Sequence, residues 1–184
     1  MARAFRATRK GFTASLETPE RELLHRLFAD VITALEPEEQ QEQDEFARLV
    51  GITENASIPE DPAVARLLPQ GGPDQEESQE FRRLSERGIR DVKIAHLSMA
   101  QMDVQSSRLQ LDEQHAQAFA AALNDVRLVL AARLGIESEQ DAQRIASYTD
   151  WSQAEDVESY MALVYQFVSW LQESLVQALL ERLE

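Results

Sequence analysis

Apolar residues recur at three- and four-residue spacing along most of this chain, broken at proline, glycine and short acidic runs. That period predicts a mainly α protein. The segment Phe5 to Leu16 instead alternates weakly in twos around Gly11 and predicts a small hairpin. Thr18, Pro19 and Glu20 mark a helix start, with Thr18 as the expected N-cap. Leu24, Leu27, Phe28, Val31 and Leu35 then form one stripe, and Pro37 ends the helix. A polar stretch, Glu36 to Glu45, leads to a short helix expected over 44–50. Asp61-Pro62 repeats the cap-plus-proline signal before Val64, Leu67 and Leu68.

Pro69-Gln-Gly-Gly-Pro73 is the strongest breaker, and 69–78 reads as an internal linker. A long helix follows over 75–102. Its apolar stripe is Phe81, Leu84, Gly88, Val92, Ala95, Met99 and Met102, which predicts that this side faces the core. Gly88 on that stripe implies close approach of another backbone. Ile94 and Leu97 point away from it and are either ordinary exposed apolar residues or a candidate contact surface. Arg108 to Leu111 reads as a short strand running into the cap Asp112, as Ala14 to Leu16 runs into Thr18, so the two strands are expected side by side.

The helix after Asp112 carries Phe119, Leu123, Val126, Leu130 and Leu134 on one face and stops at Gly135. Ser138 caps a shorter helix. The last helix, 156–183, has its main stripe at Met161, Val164, Val168, Leu171, Leu175 and Leu179, widened by Leu163, Phe167 and Trp170. That breadth calls for neighbours on more than one side. The expected architecture is one helical domain over 1–184, bundle-like, with a central C-terminal helix. Residues 1–17 form a basic strand or hairpin in a two- or three-stranded sheet.

Composition narrows the function classes. The 184 residues are 43% hydrophobic, enough for a core. Net charge is −15, yet the first ten residues hold Arg3, Arg6, Arg9 and Lys10 without an acid, so the rest carries −19. Such a body repels the phosphate backbone, and duplex DNA binding is not expected. Cysteine is absent, which removes disulfides, thiolate nucleophiles and the common zinc frameworks. No secretory apolar stretch opens the chain, and Gln166, Gln172, Glu173 and Gln177 interrupt its most apolar helix, so a cytoplasmic protein without a membrane span is expected.

Signatures of chemistry are sparse. His25, His96 and His115 are isolated and form no helical ligand pair. Gly71-Gly72 lies between prolines with no lysine after it, which makes it a turn and not a phosphate loop. Neither a cofactor nor a metal is expected, and no catalytic residue is assigned. More informative are the polar residues of apolar helices. Asn124, Arg127, Gln172 and Glu173 are candidates for an interhelical network, with Gln172 inside the apolar face and Glu173 on a polar stripe. A structural role for them outweighs a catalytic one.

Three segments in order, Asp61 to Pro69, Asn124 to Ile136 and Leu171 to Leu179, resemble an uncharacterised actinobacterial family, catalogued as domain of unknown function number two thousand and seventeen. The resemblance spans nearly the whole chain and implies an intracellular protein of about this length. It also implies a gene neighbourhood with the Clp protease adaptor and, for some members, a regulatory role in transcription or stress. It carries over no catalytic residue, and redox sensing through cysteine is impossible in this chain. The leading expectation is a non-enzymatic regulatory or adaptor protein acting through protein contacts, with the transcription machinery or the Clp system as partner classes. A regulator touching DNA through the basic N-terminus comes second, and an enzyme with an unrecognised site third.

Overall fold

The computed structural model describes residues 2–36, 59–68, 71 and 74–182. The helix expected over 44–50 and most of the proline-glycine breaker lie outside these residues. The described elements are strands β1 (Arg3–Thr8) and β2 (Gly11–Ser15), helices α1 (Thr18–Leu35), α2 (Pro62–Leu67) and α3 (Gln75–Asp103), strand β3 (Arg108–Leu111), and helices α4 (Glu113–Arg133), α5 (Glu139–Ala146) and α6 (Val157–Glu181). A single 3-10 turn, Trp151–Gln153, precedes α6. The architecture is thus mainly helical with one small sheet. The linker expected over 69–78 is shorter than predicted, because Asp74 already caps α3 by accepting from the Glu77 amide at 2.8 Å.

The sheet is antiparallel in the order β1-β2-β3. Phe12 pairs with Leu111 and Ala14 with Leu109, and these four side chains are buried. The two segments expected to be neighbours are therefore bonded strands. Gly11, at φ 116°, is required where β2 begins: a Cβ there would lie 2.1 Å from the Leu111 carbonyl oxygen. The cap of α1 falls one residue earlier than expected. Glu17 takes the N-cap position, and its amide donates to Glu20 Oε2 at 2.7 Å. The same carboxylate accepts from the Ala2 amide at 2.7 Å, tying the start of β1 to α1. Asp61, Asp112, Ser138 and Asp156 cap their helices with side-chain oxygens.

Helix α4 lies at the heart of the fold, in contact with α1, α2, α3, α6 and the sheet. Its predicted stripe is the core: Phe119, Leu123, Val126, Leu130 and Leu134 are all buried. Phe119 meets Phe5 of β1 and Phe28 of α1 edge-on at ring-centre distances of 5.7 and 5.8 Å, joining three elements. Each such side chain contributes about 1.5–3 kcal/mol of burial. Helix α6 is held between α4 and β1, with Leu171 and Leu175 at 0% exposure, as its apolar breadth predicts. Leu134, Ile145 and Ala162 form a smaller apolar cluster where α5 rests on α6.

Helix α3 is rotated from expectation. Leu84, Val92 and Met102 of the predicted inner stripe are exposed. Leu97 is instead fully buried and Ile94 packs against the core, so neither forms the contact surface considered above. Among the described residues Gly88 has nothing within 4 Å of a Cβ position, so none of their backbone makes the expected close approach. The physical reason is that α3 has apolar residues on two faces. The inward one, with Ile89, Leu97, Ala100 and Val104, also carries charges that find partners inside the fold.

Candidate functional site

Arg127 of α4 and Gln172 of α6 meet across the main helix pair. Arg127 Nη1 donates to Gln172 Oε1 at 2.5 Å, and Gln172 Nε2 donates to the Ala120 carbonyl at 3.3 Å. The guanidinium carbon lies 5.9 Å from the centre of the Tyr165 ring, within range of a cation–π contact. Buried and without a partner are Arg127 Nε and Ser169 Oγ. Of the other two candidates, Asn124 is half-buried and makes no side-chain hydrogen bond among the described residues, while Glu173 is exposed. The arrangement can orient two helices.

A second polar cluster was not legible from the pattern. Lys93 Nζ of α3 lies 2.6 Å from Asp125 Oδ1 of α4, whose side chain is only 3% exposed. Burial pushes the Asp125 carboxyl above its ordinary value, and Lys93 and His96 act against that rise. One turn away, Arg90 donates to Glu86 and also to the Leu35 carbonyl at the end of α1. Arg82, 3% exposed, keeps Nε and Nη1 without partners. Gln166, one of the polar interruptions of α6, closes the α5 end by donating to the Ile145 and Tyr148 carbonyls at 2.9 and 2.5 Å.

The histidines stay apart. His115 Nδ1 faces both Asp103 oxygens at 3.0 Å, linking the end of α3 to the start of α4. The Asp103 carboxylate raises the His115 pKa. Burial raises the Asp103 pKa, outweighing the opposing pull of His115. Among the described residues no three His, Asp or Glu side chains gather to hold a metal ion. A shallow depression of about 330 Å³ lies between α1 and the end of α3, lined by Arg21, Glu22, His25, Arg26, Val104 and Gln105. Arg21 Nη1 there donates to the Gln105 carbonyl at 2.7 Å, so the guanidinium is committed to the scaffold.

Two surfaces stand out. The basic N-terminus is an ordered hairpin and not a loose arm. Register places Arg3, Ser15 and Arg108 in one cross-strand row on the outer face of the sheet, and Arg6, Thr13 and Gln110 in the next. The other surface is aromatic and belongs to α6 and the 3-10 turn before it. Phe167 and Trp170 are neighbours at 6.2 Å, and Tyr160 meets Trp151 edge-on at 5.8 Å. Trp170 is 40% exposed, Tyr160 46% and Trp151 50%.

Fold and site together define a mainly helical protein, held by buried interhelical polar ties, with a basic sheet face and an aromatic helix edge. No described helix is long and apolar enough to cross a membrane. The family whose model matches residues 2–179 is DUF2017, a domain of unknown function, and the chain belongs to it. No curated protein and no solved structure matches the chain.

Proposed function

We propose that this is a non-enzymatic regulatory or adaptor protein that works by docking another protein on the aromatic edge of α6. The observation that carries this reading is the exposure of Trp151, Tyr160 and Trp170, with Phe167 packed beside Trp170. Tryptophan and tyrosine supply large contact area at small entropic cost, and they dominate binding energy where they reach an interface. A net charge of −15 favours a basic partner and speeds its approach. Components of the transcription machinery and of the Clp system are the partner classes that fit a regulator or adaptor.

A second reading has its own support. Arg3, Arg6 and Arg108 share the outer face of the sheet, so a regulator touching nucleic acid would use that face. The acidic remainder opposes it. Affinity purification of the full chain from its native cells separates the two. A protein recovered with the wild type and lost with Trp170→Glu supports docking on α6. Recovery of nucleic acid, lost on Arg3→Ala/Arg6→Ala, overturns it in favour of the sheet.

A further inference from the structure

From Ser85 to Met102, past Phe81, which lies against Gly71, the outer face of α3 carries a seven-residue repeat that stands outside the hydrophobic core of the described residues. Ser85, Val92 and Met99 occupy one seam position, and Gly88, Ala95 and Met102 the other. This is the spacing with which two helices interlock side chains along a shared seam. The core-facing Lys93, Leu97 and Ala100 lie on the opposite side. Leu84 and Val92 are each 55% exposed and Met102 62%, where the outer face of a helix is ordinarily polar. Gly88 is an independent observation. Glycine weakens a helix interior relative to alanine, and among the described residues no group outside its own helix turn lies within 4 Å of its missing Cβ to account for it.

We propose that the outer face of α3 is a homodimer interface, with two copies packed antiparallel about a twofold axis midway between Gly88 and Val92. In that register Gly88 faces Val92 of the partner subunit, and Ser85 faces Ala95 of the partner subunit. The face is self-complementary, as a twofold interface requires: the valine enters the space that glycine leaves. Leu84, on the flank, covers the layer of small residues. A parallel pairing would set Gly88 against its own copy and leave a void, which close-packed interfaces avoid. Charge agrees with the antiparallel choice. Asp91 comes near its own copy at the axis, and Arg87, one turn away on the same edge, brings the opposite charge beside it. The stretch that pairs with itself about that axis, Ser85 to Ala95, is roughly 15 Å long at 1.5 Å per residue.

Analytical ultracentrifugation of the full chain, from micromolar to near-millimolar concentration, tests this. The expected result is a dimer that Val92→Glu converts to monomer with helical circular dichroism unchanged and, at concentrations where wild type is also monomeric, the same thermal midpoint, because Val92 is outside the core. Gly88→Leu weakens the dimer at least tenfold while leaving the monomer as stable or more so. Orientation is read in a chain with no natural cysteine. Ser85→Cys and Ala95→Cys proteins are mixed with a short thiol cross-linker. Antiparallel pairing joins one of each, since like positions lie ten residues, roughly 15 Å, apart along the axis. A monomer at every concentration, a dimer indifferent to Val92→Glu, or links only between like variants would each overturn the proposal.

Discussion

Replacing Lys93 with methionine strands the Asp125 carboxylate against α3. The two groups are 2.6 Å apart, with side-chain exposures of 22% and 3%. Removing one member of a buried pair costs about 3–5 kcal/mol, because the remaining charge has lost both water and partner. Lys93 keeps some solvent access, so the lower end, about 3 kcal/mol, is expected at neutral pH. The penalty must depend on pH. Burial already holds the Asp125 carboxyl above its ordinary 3.8, and Lys93 acts in the opposite direction, so its loss raises the carboxyl further. A carboxyl raised in the folded state contributes stability that is present below its unfolded value and lost as pH rises through its folded value. The variant therefore lies closest to wild type near pH 3.8 and falls away from it toward neutrality. Lys93→Met combined with Asp125→Leu removes both charges and restores most of the loss. Urea denaturation followed by circular dichroism at several pH values provides the assay. A penalty under about 1 kcal/mol at neutral pH, or one equal at all pH values, refutes the reasoning.

Further outcomes follow from the same contacts. Leu171→Ala, at a site with 0% exposure, should lower unfolding free energy by about 2–5 kcal/mol in the same assay; a loss below that range would place α6 outside the core. Asp103 raises the His115 pKa above 6.5, so this contact stabilises fully below that value and is lost as pH rises through the folded-state value. His115→Gln should flatten the pH dependence of the thermal midpoint in that window. With the histidine side chain 38% exposed, the effect stays below about 1 kcal/mol. Fluorescence anisotropy with labelled duplex DNA at physiological salt should show no micromolar binding. If it does, with a salt slope reduced by neutralising Arg3, Arg6, Arg9 and Lys10, the direct DNA reading gains over docking.

The parts of the fold that were legible are those where one face of an element is apolar. Helix α4 has one such stripe, ending at Gly135, whose φ of 64° is the left-handed stop that glycine supplies. The strand pair was visible because Phe12, Ala14, Leu109 and Leu111 alternate with polar residues. Helix α3 misled because its more continuous apolar stripe faces outward. Its inner face carries the half-buried Lys93 and Arg90, whose partners, Asp125 and the Leu35 carbonyl, are remote in sequence. No local pattern predicts such a pairing. The Arg127–Gln172 tie could be anticipated because each residue interrupts or flanks an apolar face, whereas Glu173, one residue on, turns to solvent.

The central claim is that the aromatic edge of α6 binds a partner protein, and quantitative affinity purification with matched variants tests it most directly. Wild type, Trp170→Glu and Val92→Glu would be expressed at native level and their recovered proteins compared. The account predicts a basic protein recovered with wild type, reduced at least tenfold by Trp170→Glu and retained by Val92→Glu, which alters only the outer face of α3. No enriched protein with wild type, or the same protein recovered undiminished with Trp170→Glu, would contradict it.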